Sequence, residues 1–189
     1  MKEIICKIDG SLSAIEIEQI IADSGFWISL NPDVSTLSNG SFSANNLRLS
    51  IIHVKRSVTI DGIGLNVTTA ATGALSKIGL YTNGSDNKPG SLITTLGEID
   101  CSVAGQNSLT ISNYTIEPGL YWCALVNNLS ISFPNLAGIN NLYSQGATSI
   151  TASGVLGYRI AHTYTDPLPS SITSPANEFS APHIYFRKV

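Results

Sequence analysis

The sequence predicts an all-β protein, an antiparallel jelly-roll-like β-sandwich with a short N-terminal extension. Apolar and polar residues alternate along many short runs, which is the pattern of strands with one buried face. Gly, Pro and Asn separate these runs, as expected for tight turns. Charged residues make up 12% of the chain, about half of the usual share of roughly 25%. Ser, Thr, Asn and Gly must therefore form most of the surface.

Residues 1–46 are predicted to form an N-terminal arm or attachment segment, and residues 47–189 the sandwich domain. Met1–Gly10 alternates weakly and fits a strand. Ser13-Ala14-Ile15-Glu16 matches a capping box, in which Ser and Glu side chains satisfy free backbone N–H groups at a helix start. A short helix is favoured after this box. A strand is the alternative, because apolar and acidic residues alternate here as well.

Phe26 and Trp27 form a concentrated aromatic pair within the predicted arm. The residues that follow, 31–46, have few charges and many turn formers, as a linker does. Large aromatic side chains dominate the energetics of protein interfaces. We therefore predict that Phe26 and Trp27 anchor the arm on another subunit. The alternative is that they cap their own domain.

The first strands of the domain are predicted between residues 47 and 67. Leu47, Leu49 and Ile51 alternate with polar residues, and the same pattern returns twice before Val67. Strict alternation indicates one buried and one solvated face, as in antiparallel sheets.

The central unit, residues 77–125, combines turn formers with core aromatics. Asn83-Gly84 and Pro89-Gly90 are predicted turns, because Asn and Gly tolerate positive φ and Pro presets φ. Pro118-Gly119 precedes the most aromatic run, residues 120–125, whose two faces are both apolar. This run is therefore a predicted central strand, covered on both sides. The predicted core and turn residues are Gly79, Tyr81, Pro89, Gly90, Pro118, Gly119, Tyr121 and Trp122.

The last third of the chain alternates strands with irregular segments. A strand is predicted up to Phe133, ending at Pro134, and a long loop follows over residues 135–153. Residues 158–164 fit a strand, whereas the two prolines within residues 166–171 exclude one. Residues 182–188 are the predicted closing strand.

Charge and cysteine content exclude several classes of partner. The net charge is −3 and the basic residues are scattered, so a nucleic-acid partner is not expected. No apolar run reaches the roughly 20 residues that a membrane-spanning helix needs, and the charged start does not fit an export signal.

Three cysteines without metal-like spacing predict reduced thiols. Cys6, in the arm, is a candidate for a disulfide between subunits.

No constellation in the sequence points to catalysis, a cofactor or a metal. His53, His162 and His183 lack partners at ligand spacing. Glu98 and Asp100 share one face of a predicted strand, but this pair alone does not indicate the carboxyl groups of a glycosidase. The expectation is a protein that is not an enzyme and binds no cofactor.

The strand and turn motifs resemble a β-sandwich module of tailed-bacteriophage virion proteins, found in tail fibres, receptor-binding tips, collars and head-decoration proteins. The motifs that carry the resemblance are Lys77-Ile78-Gly79-Leu80-Tyr81, Lys88-Pro89-Gly90-Ser91-Leu92-Ile93, Pro118-Gly119-Leu120-Tyr121-Trp122 and Ile184-Tyr185-Phe186-Arg187. The resemblance covers residues 47–189. It implies a structural virion protein, made in the host cytoplasm, that assembles with other virion proteins as a homotrimer.

The alternative function is recognition of a cell-surface glycan by a receptor-binding or carbohydrate-binding module. Such sandwiches stack exposed aromatic rings on sugar faces. Tyr143, Tyr158 and Tyr164 lie in or beside the loop-rich last third and are the candidate stacking residues. The competing interpretation is that these tyrosines pack beneath the loops.

Overall fold

The structure is a computed structural model that describes residues 25–31, 34–139, 157–178 and 180–189. All of its regular elements in these ranges are strands, which confirms the predicted all-β class. The strands are β1 Trp27–Ser29, β2 Val34–Phe42, β3 Asn46–Val54, β4 Val58–Val67, β5 Leu75–Asn83, β6 Pro89–Asp100, β7 Gly105–Ile116, β8 Gly119–Asn127, β9 Ile131–Ile139, β10 Gly157–Ala161, β11 Ala176–Glu178, β12 Ala181–Pro182 and β13 Tyr185–Lys188. The predicted N-terminal strand and helix, Cys6 and Tyr143 lie outside the described residues.

The strands form three antiparallel sheets. The largest has six strands in the order β11-β10-β3-β8-β5-β6, the second has the order β1-β13-β4-β7, and the third β12-β9-β2. Side chains from all three sheets meet in one apolar core, with Phe42 and Phe133 stacked at its centre, ring centroids 4.1 Å apart. The six-stranded sheet therefore packs against the other two as a sandwich. The finer jelly-roll assignment stays a prediction.

A second apolar cluster covers the other face of the six-stranded sheet. We call residues 162–172 the strap, because this irregular segment crosses that face. Leu168 and Ile172 of the strap pack on the sheet, and the Tyr81 hydroxyl donates to the Pro169 carbonyl at 2.9 Å. The sheet side chains beneath it are Leu47, Leu49, Ile51, Tyr81, Trp122, Ala124, Val126 and Tyr158. The outer face is thus a second core.

This double coverage confirms the prediction for the aromatic run, which is β8. Cys123 and Leu125 face the core between the sheets, while Trp122 and Ala124 face the outer cluster. Strand β8 lies between β3 and β5, away from both sheet edges. Apolar residues on both faces of a strand therefore indicated its central position.

The expectation of one solvated face is wrong for β3. Leu47, Leu49 and Ile51 pack in the outer cluster, and Ile52 and Val54 pack in the core between the sheets. The alternating polar positions are buried too, with Arg48 8% and Ser50 0% exposed. Arg48 lies over the Phe42 ring at 4.6 Å and pairs with Glu178. The sheets packed across the core therefore cover the Arg48 and Ser50 side, which the alternation alone presented as solvated.

The predicted boundary after Asn46 does not separate an arm from the domain in the described residues. Strand β1 pairs with β13, and β2 pairs with β9 along most of its length. Both strands are integral to the sheets. Turn formers such as Asn39 and Gly40 suggested a linker, but long-range pairing holds them in extended conformation.

The turn and proline predictions also need correction. Between β5 and β6 the positive φ falls at Asn87, at 58°, and Pro89-Gly90 already belongs to β6. Pro134 does not end a strand, since β9 continues to Ile139. The Pro134 carbonyl accepts a hydrogen bond from the His183 backbone N–H at 3.2 Å. Pro118 lies in the connection that leads into β8.

Gly79 makes room for the strap. A Cβ atom at Gly79 would lie 2.4 Å from Leu168 Cδ1, far inside van der Waals contact. Gly79→Ala is expected to lower the free energy of unfolding by about 1–3 kcal/mol, the usual cost of overpacking. Equilibrium denaturation measures this change. In a Leu168→Ala background the same substitution should cost close to nothing; an undiminished cost there would show that Leu168 is not the obstacle.

Candidate functional site

The outer face of the four-stranded sheet is the candidate site. Period-two alternation brings side chains of β1, β13, β4 and β7 to this face, while Ile63, Leu65 and Phe186 face the core. The register places Tyr185 opposite Gly64, and Gly64 opposite Ser108. One row further along, Asn66 lies opposite Gln106.

Two glycines of β4 make this face concave. A Cβ atom at Gly64 would lie 2.9 Å from Cζ3 of Trp27. The indole therefore packs directly against the Gly64 backbone. A Cβ atom at Gly62 would lie 3.2 Å from both Cβ and Nε of Arg187. Any larger residue would push these side chains off the sheet. The alternating glycines therefore allow Trp27 and Arg187 to lie close against it.

The resulting groove has a volume of about 310 Å³, at the lower end of the range of small-molecule sites, roughly 300–1,000 Å³. Its lining residues are Trp27, Gly64, Leu65, Asn66, Gln106 and Tyr185. Two aromatic rings offer apolar surface, and two side-chain amides each offer both hydrogen-bond donors and acceptors. This arrangement can hold a ligand that has an apolar face and polar edges.

His183 supports the aromatic side of the groove. Its Nε2 hydrogen bonds with Ser29 Oγ at 2.8 Å, and its ring meets the Tyr185 ring edge-on with centroids 4.4 Å apart. Burial lowers the pKa of His183, so the ring is neutral at pH 7. The histidine thus ties β1, which carries Trp27, to the strand that carries Tyr185.

Of the predicted anchor pair, only Trp27 lines the groove. Phe26 lies just before β1 and is 57% exposed. Its carbonyl accepts from the Lys188 N–H at 3.0 Å, which places it beside the C-terminus. The structure therefore gives the two aromatics different surroundings.

The predicted stacking tyrosines that the structure describes are engaged elsewhere. Tyr158 is 1% exposed and packs against Trp122 with ring centroids 5.2 Å apart, so it presents no free face to a sugar. Tyr164 is half-buried in the strap, where its hydroxyl hydrogen bonds with Glu98 and its ring lies 4.9 Å from Lys77 Nζ. Both tyrosines hold the strap on the sheet.

Sequence reasoning missed Tyr185, Asn66 and Gln106 as site residues. Tyr185 entered only as part of a closing strand, and the two amides looked like ordinary polar positions. A usable signal was Gly62-x-Gly64, because alternate glycines on one strand face mark a place where another group approaches the backbone.

Other reactive groups in the described ranges form no second site. No cluster of three or more His, Cys, Asp or Glu side chains suits a metal ion there. Cys101 and Cys123 are free thiols, and burial raises the pKa of both, so each is held as an unreactive thiol. The described residues contain no helix long and apolar enough to cross a membrane.

Comparison with known proteins shows a likeness of fold. No protein-family model matches the chain, and no curated protein matches it significantly. Among solved structures, it is similar to the cysteine protease and lectin-like domains of a surface-layer-associated protein of Clostridium difficile, with a TM-score of 0.50 and 13% sequence identity. The match covers 83% of this chain and 36% of that one. This chain therefore shares a β-sandwich fold with part of a larger bacterial surface protein.

Proposed function

We propose that this protein is a carbohydrate-binding β-sandwich module whose ligand is a glycan held in the Trp27–Tyr185 groove. The observation that carries the proposal is the combination of two aromatic rings and two amides around one concave site on a sheet face. Sugar rings have C–H faces that pack on aromatic rings, and their hydroxyls exchange hydrogen bonds with amides. The groove offers both an aromatic surface and amide hydrogen-bond partners, on side chains that the sheet holds in place.

The solved structure similar to this chain lends limited support. That protein has a lectin-like domain, which fits a sandwich that binds sugars. At 13% identity the likeness concerns the fold alone, because one fold carries many functions. The groove is therefore the feature that supports a glycan ligand.

Binding to a glycan array, followed by NMR titration with the best glycan, tests the proposal. Specific glycans should bind, and the resonances of the Trp27 indole N–H and of the Asn66 and Gln106 side-chain amides should shift together. Absence of glycan binding would contradict the proposal. So would shifts confined to the strap or to the outer cluster.

We also propose the virion-assembly function that the phage resemblance implies, with Phe26 as its contact. Phe26 and Val189 are 57% and 45% exposed. Gly25 N–H donates to the Lys188 carbonyl at 2.6 Å, so the two apolar side chains lie at the same end of the sandwich. Exposed apolar groups of this kind suit a contact with another subunit. Glycan binding by the groove would make such a virion protein a receptor-binding one.

Replacing Phe26 with serine is expected to dissociate the homotrimer that the resemblance implies. The reason is that aromatic anchors supply much of the binding energy of an interface. Light scattering after size-exclusion chromatography measures the mass of each variant. Trp27→Ala is the matched control and should keep the oligomer. A wild-type protein that stays monomeric at high concentration would contradict the assembly function.

A further inference from the structure

Among the residues that the structure describes, those that line the groove all have uncharged side chains. In the sheet that carries it, β1 and β7 contain no charged residue. The charged residues of β4 and β13 are Asp61, Arg187 and Lys188, and none of them lines the groove. His183, behind Tyr185, is neutral at pH 7 because burial lowers its pKa. A ligand in this groove therefore contacts aromatic rings and polar groups without a formal charge.

Arg187 is a cation beside the Trp27 wall of the groove, and it is already engaged. Its Nε donates to Asp61 Oδ1 at 2.7 Å, and its Nη2 donates to the Asp61 carbonyl at 3.3 Å and to Thr110 Oγ1 at 3.2 Å. The guanidinium carbon is 5.8 Å from the centre of the Trp27 ring. A carboxylate on a ligand would compete with Asp61 for Arg187, whose charge Asp61 already neutralises. The chain's net charge of −3 disfavours a ligand anion as well.

From this charge arrangement we infer that the groove selects neutral sugars over acidic ones, such as uronic or sialic acids. The inference rests on the proposed carbohydrate-binding function. Asn66 and Gln106 supply the polar recognition, since an amide both donates to and accepts from a hydroxyl. The Asp61–Arg187 pair acts as the specificity device: Asp61 holds Arg187 by an ion pair and neutralises the cation that a ligand carboxylate would otherwise bind.

Matched oligosaccharide pairs that differ only in charge test the inference. The probes are galactose and galacturonate oligomers of equal length, and lactosamine chains with and without terminal sialic acid. The neutral member of a pair should bind at least about tenfold more tightly, and added salt should leave its affinity unchanged. If the acidic member binds as tightly or more tightly, the inference is overturned and the proposed function stands. If no glycan in the panel or on the array binds, the proposed function fails and the inference fails with it.

Asp61→Asn tests the device itself, because it removes the charge that neutralises Arg187 without touching a lining residue. The variant should raise the affinity for the acidic member about tenfold relative to the neutral member. Asp86→Asn, which removes the same charge from the turn between β5 and β6, is the control and should leave the ratio unchanged. A ratio that Asp61→Asn does not alter would overturn the role given to the Asp61–Arg187 pair.

Discussion

Trp27→Ala is expected to weaken glycan binding by about 30-fold to 1,000-fold, the effect of removing a hot-spot aromatic worth about 2–4 kcal/mol. The indole lies against Gly64 and forms one wall of the groove. Alanine would remove the stacking surface and leave the two amides facing water. Isothermal titration with the glycan selected on the array measures the loss. Trp27→Phe, which keeps an aromatic face, should retain part of the affinity.

Phe26→Ala is the matched control for this prediction. Phe26 is the neighbouring aromatic residue, but it does not line the groove, so its loss should leave glycan affinity unchanged. Gly64→Ala adds a further test, because it displaces the indole while keeping both aromatic rings and both amides. It should weaken binding as well. Equal affinity of Trp27→Ala and the wild-type protein, with circular dichroism unchanged, would rule out the groove as the glycan site.

Trp122→Ala is expected to lower the free energy of unfolding by about 3–5 kcal/mol, the usual cost of truncating a buried aromatic residue. Trp122 is 0% exposed in the outer cluster, packs against Tyr158, and donates from Nε1 to Asn83 Oδ1 at 2.8 Å. A domain's whole stability is about 5–15 kcal/mol, so this loss removes a large share. Guanidinium unfolding followed by circular dichroism measures it.

The control for this loss is Val103→Ala, at a position that is 65% exposed, where a change within about 0.5 kcal/mol is expected. The cavity left by Trp122 should also loosen the strap above it. Faster hydrogen exchange is therefore expected at the Ile172 N–H, which donates to the Gly90 carbonyl, and at the Leu92 N–H, which donates to the Ser170 carbonyl. A loss below about 1 kcal/mol would mean that the outer cluster is not a second core.

Local signals predicted the strands well because alternation and turn chemistry act between near neighbours in the chain. Strand β8 is apolar on both faces, so both faces had to be buried, whichever segments packed on them. Its predicted central position was therefore correct. Strand β3 shows the limit of this reasoning. Its alternation suggested a solvated face at Arg48 and Ser50, but strands from other parts of the chain bury that face in the core between the sheets.

Two of the predicted stacking residues, Tyr158 and Tyr164, are engaged in packing for a related physical reason. An aromatic residue in a loop-rich segment looks exposed, yet Tyr158 is buried under tertiary contacts and Tyr164 fastens the strap. Trp27 was singled out for its aromatic character. Its role as a groove wall depends on Gly64, which lies on a different strand.

The sequence by itself determined that this protein is all-β, where most of its strands run, and which strand is covered on both faces. Each of these follows from side-chain period and turn propensity, which are local properties. Only the tertiary structure decided which aromatic rings remain accessible, and it placed Trp27, Asn66, Gln106 and Tyr185 around one groove. Those residues come from four strands, and strand pairing and register, set by packing across the whole sandwich, bring them together.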